Sequence, residues 1–503
     1  MNQYGTKIYY DDNSRIQMVF HYLDYSCPAD NYHGTTYGHS SDYFFTYDKE
    51  NGNISQMRIS GDAITGTVTP KYDNFGRLDY RITTFKVNSG SDFYNYNRTN
   101  AFYEKLDYQY TEKYGHQTGQ VEKVTQEIRQ GADSAILSSK EYNFSYDQNG
   151  NITEIADQNS VIQYKYYYDN LGQLIREDNR ALGYSYTYSY DNAGNIISKK
   201  RYAFTTGTLT GSSRSTVWIY GNSTWGDLLT EYNGYTVEYD EIGNPTKIGY
   251  CDSDYWYEHY ELIWQGRQLM SYVYSEEGGE NVQFAYNADG IRTQKIVDGV
   301  VHHYILSGSR IIAETWTQSG IEYLMYYLYD ENGAPIGLQY RTSDYASQVF
   351  DSFFFEKNVF GDIIGVYNSS GKKLCTYTYD AWGVCYLDGI SGVTLTAVED
   401  YVAEHNPFRY RGYYYDVETG LYYLQSRYYN PEWGRFINAD GYVSTGTGML
   451  GYNMFAYCNN NPVMFVDPTG EAWWHWALAA AVVVACAAAT VLWLLIVINL
   501  LLT

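Results

Sequence analysis

The chain has 503 residues, 62 of them tyrosine, with 34 Lys and Arg against 58 Asp and Glu and a net charge of −24. Glycine without a three-residue period, a charged fraction of 18 % and an aromatic fraction of 18 % exclude collagen, coiled coil and simple disorder. A nucleic-acid-binding surface needs a cationic footprint, and this balance repels a polyanion. Tyrosine is a strand former with an apolar body and a wet tip, so the bias points to an all-β protein.

The first residues, Met1-Asn2-Gln3-Tyr4-Gly5-Thr6-Lys7, lack the apolar run of a secretory signal peptide and lead directly into strand-like sequence. A repeat then governs the chain. Tyr146-Asp147-Gln148-Asn149-Gly150 is followed by Tyr168-Asp169-Asn170-Leu171-Gly172 and Tyr190-Asp191-Asn192-Ala193-Gly194, the tyrosines 22 residues apart. Related units begin at Tyr47-Asp48 (with Gly52), Tyr72-Asp73, Tyr239-Asp240 (with Gly243), Tyr286-Asn287 and Tyr329-Asp330. Before each turn the residues alternate, as in Phe144-Ser145-Tyr146, with the period of a strand packed on one face. Asp-x-x-Gly supplies a turn: Asp bonds its own backbone two residues on, and Gly accepts positive φ. Each unit is therefore a hairpin too small to stand alone, and stacking the hairpins gives one long coiling sheet. Tyr-Asp pairs also suit sugar stacking, but recurrence at a structural period favours packing and turn formation. Asp48-Lys49-Glu50-Asn51-Gly52 lacks the distal glutamate of an EF-hand loop.

From Asn358 the pattern becomes denser: Asn358-Val359-Phe360-Gly361-Asp362, Tyr377-Thr378-Tyr379-Asp380-Ala381-Trp382-Gly383, and Asn406-Pro407-Phe408-Arg409-Tyr410-Arg411-Gly412. There follow Glu418-Thr419-Gly420-Leu421-Tyr422-Tyr423, Arg427-Tyr428-Tyr429-Asn430-Pro431, Asn460-Asn461-Pro462 and Asp467-Pro468-Thr469-Gly470. This block resembles the RHS-repeat-associated core domain of polymorphic toxins, and the upstream units resemble YD (RHS) repeats. The resemblance implies a hollow shell of spiralling YD hairpins over residues 1–350, closed by a core block over 351–470. It also implies a role in toxin delivery, with a variable C-terminal segment held inside. In many members the core cuts the chain after Asp-Pro-x-Gly-Leu, using nearby aspartates. Carried over here, Asp440 and Asp467 are the candidate carboxylates and the cut falls between Glu471 and Ala472. Two departures stand out: Glu471 replaces the motif leucine, and Ala439 replaces the arginine of an upstream Arg-Asp-Pro. Moreover, Asn438-Ala439-Asp440-Gly441 repeats Asn287-Ala288-Asp289-Gly290, which belongs to an ordinary repeat turn.

Residues 471–503 form an apolar tail. Trp476 to Ile498 carries no charge and one polar side chain, Thr490, and Trp473, Trp474 and Trp476 cluster at one end. At 1.5 Å per residue such a helix spans roughly 30 Å, so the run predicts a transmembrane helix and membrane association. The alternatives are a truncated pre-toxin segment or cargo coiled inside the shell. Too little chain follows Gly470 for a toxin domain with its own core, and the abrupt start in repeat sequence favours truncation at both ends as one reading beside an intact shell.

The six cysteines are scattered without C-x-x-C spacing, and the nine histidines form no H-E-x-x-H, so neither metal nor cofactor is expected. Three functions stand: a structural shell whose partners are its own C-terminal segment, a lipid bilayer or a target-cell surface; a self-cleaving aspartyl core; and a carbohydrate-binding adhesin.

Overall fold

The computed structural model describes residues 4–25, 37–49, 51–61, 63–88, 98–113, 116–252, 255–275, 281–343, 350–441, 449–471 and 474–475. Thirty strands, from Tyr4–Tyr10 to Cys385–Gly389, make a single sheet in which each strand pairs antiparallel with the next in sequence. The sheet continues through Asp351–Lys357, Ile363–Asn368 and Lys373–Tyr379 before it ends.

The hairpins owe their shape to one turn. At Asp147 the carboxylate Oδ1 accepts the Asn149 and Asn151 amides at 2.8 and 2.9 Å, while Oδ2 accepts the Asn151 side-chain amide at 2.9 Å. Gly150 sits at φ +88°, in the left-handed region where a Cβ is strained. The same bonds recur at Asp169 with Gly172, Asp191 with Gly194, and Asp240 with Gly243. At Asp48 the turn is one residue longer, with the Gly52 amide still bonding the Asp48 carbonyl at 3.0 Å.

The tyrosine before each turn joins its hairpin to the preceding one. The Tyr168 hydroxyl donates to the Ile152 carbonyl at 2.8 Å, and Tyr190 to Leu174 at 2.5 Å. Tyr47, Tyr146, Tyr286 and Tyr379 bond Ile16, Val121, Leu269 and Ile363 in the same way at 2.6–2.7 Å. The repeat thus specifies both the bend and the attachment, as its period suggested.

The sheet winds back on itself, so that early strands pack against late ones. Phe354 stacks on Phe85 and Phe102 with centroids 5.0 and 5.1 Å away. Arg81 reaches Asp330 at 2.8 Å, Gln126 donates to the Lys357 carbonyl at 2.9 Å, and Asn179 to that of Tyr379 at 2.9 Å. After the sheet comes the helix Ala397–His405, begun by a Thr396–Glu399 capping box, then a small four-stranded sheet from Tyr414–Asp416 to Arg435–Phe436. This closing block lies along the row of turns. Asn461 bonds Asn151 at 3.1 Å, Asn460 bonds Gln173 at 2.9 Å and the Gly194 carbonyl at 2.6 Å, and Asn453 bonds Asn195 at 2.8 Å. The Ala439 amide reaches the Gly243 carbonyl at 3.2 Å.

Membrane association through a helix is corrected here. Among the described residues no helix is long and apolar enough to cross a membrane. The α-helix present, Ala397–His405, has nine residues and carries Glu399, Asp400 and Glu404, so it spans only about 14 Å and lies within the closing block. The expected span over 476–498 falls outside the described residues. Trp474–His475, at the start of the tail, pairs as a strand with Phe465–Val466. An apolar run establishes hydrophobicity, not a membrane as the surface that covers it.

The turn chemistry sets an order of costs. Asp147→Ala removes three bonds from one turn and is expected to cost about 1–3 kcal/mol, against about 0.5–1.5 for Tyr146→Phe. Equilibrium unfolding in guanidinium chloride measures both, and equal effects would mean that the carboxylate does not hold the turn.

Candidate functional site

The aspartates singled out by sequence come together in the closing block. Asp440 follows the strand Arg435–Phe436 and is held by its amide on the Met454 carbonyl at 2.9 Å. Asp467 opens the segment that turns at Gly470, its Oδ1 accepting the Gly470 amide at 2.9 Å and its own amide bonding the Tyr413 hydroxyl at 2.9 Å. Both carboxylates face one guanidinium nitrogen: Arg427 Nη2 lies 3.0 Å from Asp440 Oδ2 and 3.5 Å from Asp467 Oδ2.

Arg427 is buried and used on every side. Its Nη1 donates to the Met454 carbonyl at 3.1 Å, its Nε donates to the Gly470 carbonyl, and its plane lies 3.6 Å from the Phe436 ring centroid. Burial lowers its pKa from the ordinary arginine value, and the Asp440 and Asp467 charges oppose that shift. Next to it, the Ser426 amide and hydroxyl both donate to the Thr469 carbonyl, at 3.1 and 2.8 Å. A Cβ on Gly470 (φ +71°) would stand 2.8 Å from the Leu424 carbonyl oxygen, so this turn requires glycine. The segment 467–470 is therefore gripped by residues 424–427.

Beside the two carboxylates is a cavity of about 10 Å³, lined by Arg427, Asp440, Asn453, Cys458, Asp467 and Glu471 among others. That is room for about one water. The chemistry available is a pair of carboxylates, one cation and a water-sized space next to the exposed Glu471. Ala472 lies outside the described residues. Among the described residues no group of His, Cys, Asp and Glu is placed to hold a metal ion.

The two identical tetrapeptides have different environments. Asp289 is exposed in a hairpin turn, whereas Asp440 is buried against Arg427. Sequence reading missed Arg427 as their common partner, although it stood in the motif Arg427-Tyr428-Tyr429-Asn430-Pro431. A cation inside an aromatic run is the signal that could have found it. That signal is absent at Arg292, flanked by Ile291 and Thr293, yet the fold buries it fully between the rings of Phe284, Tyr304, Tyr414 and Tyr423 and makes it bidentate to Asp416 at 2.6 and 3.1 Å. Arg292 belongs to the wall and Asp416 to the closing block, so this pair anchors one to the other. The repeat residues are structural: the hydroxyls of Tyr47, Tyr146, Tyr168 and Tyr190 and the carboxylates beside the last three are engaged inside the sheet.

The RHS Repeat family model matches residues 168–206, the stretch that holds the turns at Asp169 and Asp191. The chain carries RHS repeats. This RHS-repeat chain is similar to the tRNA3(Ser)-specific nuclease WapA of Bacillus spizizenii, 35 % identical over 251 residues, which is 49 % of this chain and 10 % of that protein. Toxin protein Tse5 of Pseudomonas aeruginosa is 45 % identical over 64 residues, 13 % of this chain and 5 % of that one. The chain thus spans at most a tenth of the length of these curated relatives. Its fold is similar to part of a chain in the crystal structure of TcdB2-TccC3-Cdc42, with a TM-score of 0.51 at 15 % identity, covering 95 % of this chain and 24 % of that one.

Arg427→Met removes the guanidinium that two buried carboxylates share and is expected to cost about 3–5 kcal/mol. Thermal and denaturant unfolding read this directly; a variant as stable as the parent would mean the pairs contribute nothing to the closing block.

Proposed function

We propose that this chain is the encapsulating shell of a polymorphic toxin-type protein, a YD-repeat wall over 1–350 closed by a core block over 351–470, holding the segment that follows Gly470. The observation carrying this reading is the seating of the closing block. Its Asn453, Asn460 and Asn461 side chains bond successive turns, and Asp416 is clamped by the caged Arg292. A block fixed along the turn row caps the coiled sheet there, and the chain leaving it turns back onto Phe465–Val466. The relative named as a toxin, Tse5, supports a toxin-type role, and the tRNA nuclease activity named for WapA is not carried to this chain.

A tag appended after Thr503 tests enclosure. In the folded protein it is expected to resist a site-specific protease and to be cut after denaturation. Equal cutting in both states would defeat the reading.

A second reading, self-cleavage between Glu471 and Ala472, is favoured by the meeting of Asp440 and Asp467 beside a water-sized cavity. Arg427 weighs against it, because acid-pair chemistry needs one carboxyl to hold a proton and a shared cation favours the ionised forms. The shell reading predicts one band near 58.0 kDa on a denaturing gel after native purification. Fragments that disappear in Asp467→Asn would instead establish the protease.

A further inference from the structure

Where early strands pack on late ones, two joints contain more carboxyl groups than cations. In the first, Arg81 lies 2.8 Å from Asp330 and 3.6 Å from Glu104, and Lys357 lies 3.4 Å from Asp330. Glu331 follows Asp330 in the same turn. Its Oε1 takes a long 3.4 Å bond from Asn332, and its Oε2 is buried without a hydrogen-bond partner. Three carboxyls therefore meet two cations, and burial together with these carboxyl charges raises the hydroxyl pKa of Tyr72 and Tyr108. In the second joint, buried Glu177 on the strand Leu174–Asn179 crosses to the late turn at Asp380. Its Oε2 accepts the Ala381 amide at 2.9 Å and the Tyr188 hydroxyl at 3.2 Å, and its Oε1 accepts Asn179 at 2.9 Å. Asp380 holds the cation of this joint, Lys199, at 2.6 Å. Burial and then nearby carboxyl charges, Glu177 among them, raise the hydroxyl pKa of Tyr164, Tyr166, Tyr168 and Tyr186.

We propose that these joints form a protonation-controlled seam, shut while Glu331 and Glu177 hold a proton and loosened when each ionises beside its aspartate, Asp330 or Asp380. The physical reason is Coulombic: a second negative charge in a dry joint is not compensated by a cation already engaged. Burial and then the neighbouring Asp330 push the Glu331 carboxyl up to about 7 against Arg81 and Lys357, and burial and then Asp380 push Glu177 up to about 7 against the Ala381 and Asn179 donors and Lys199, which favour its ionised form. A folded state that keeps a proton which the unfolded chain loses near 4.5 is stabilised at low pH. That contribution is lost as pH rises from 4.5 to about 7 and is absent above it.

Other groups run the opposite way. Burial resists ionisation of Glu314 and Glu356, but His302 and Lys295, and Lys140 and Lys373, bring them down to about 2. Burial and then Arg310 bring His21 down to about 4. Their contributions are lost on acidification, so the seam must be read locally and by difference.

Hydrogen exchange of the full chain at pH 5 to 8, corrected for intrinsic rates, tests this. Opening of peptides from 78–88 and 351–357 (first joint) and from 174–190 and 373–384 (second) is expected to increase at least about tenfold across that range, one pKa unit being tenfold. Glu331→Gln should flatten the pH response at the first joint alone, and Glu177→Gln at the second alone. A flat wild-type profile, or a Glu331→Gln variant that keeps the wild-type slope, overturns the proposal. Because Glu331 lies in a turn, its variant decides the matter even where Glu177→Gln does not fold.

Discussion

The structure depends on a pair of side chains used in sequence. An aspartate carboxylate satisfies the amides of a tight turn, and the tyrosine before it donates to a carbonyl of the preceding hairpin. Neither bond is strong on its own, with net contributions of order 1 kcal/mol. Their importance lies in topology. A two-stranded hairpin is marginal in water and leaves an unpaired edge, so a chain of hairpins is stable only if each is attached to the one before. The tyrosine does this while its ring packs the sheet, which is why the protein is rich in tyrosine rather than phenylalanine: the same residue supplies apolar surface and a donor at a fixed reach.

Repetition of one turn also builds a surface. Because the turns at Asp147, Asp169, Asp191 and Asp240 share one geometry, they present residues of the same kind in a row, and the side chain four positions on from each aspartate is an amide. The closing block reads that row with amides of its own. Asn453, Asn460 and Asn461 meet Asn195, Gln173 and Asn151. The asparagines before Pro462 thereby acquire a role in docking, beside a charged anchor in which a fully buried Arg292 takes Asp416 and Lys295 takes Asp416 and Glu418.

Much of this architecture was legible in the sequence because it is local. The hairpins, the turn aspartates and the strand alternation follow from contacts within a few residues, and the closing block was recognisable from dense motifs. What was not legible is non-local. Nothing in the sequence couples Phe85 to Phe354, or Arg81 to Asp330, because coil-to-coil contacts depend on the sheet's accumulated curvature, which no single repeat encodes. The candidate site divides the same way. Asp440 and Asp467 were found by alignment to a motif, but Arg427, which both share, was not. The membrane helix was misjudged for a related reason: hydrophobicity was read without a covering surface.

Two identical tetrapeptides make the limit concrete. Asn287-Ala288-Asp289-Gly290 forms an exposed turn with the Asp289 amide on Asn287 Oδ1 at 3.1 Å, while in Asn438-Ala439-Asp440-Gly441 the backbone pairs with Gly243 and Met454 and the carboxylate meets Arg427. Local preference is the same in both, so the difference is imposed from outside. In the first, flanking strands pair with each other and demand a turn between them. In the second, the preceding strand Arg435–Phe436 is held in the small sheet and the chain beyond it is drawn onto residues 453–456. A turn sequence thus becomes a buried acidic segment when its flanks have partners elsewhere, and by this means a tetrapeptide that is an exposed turn in one repeat supplies a buried carboxylate to the closing block.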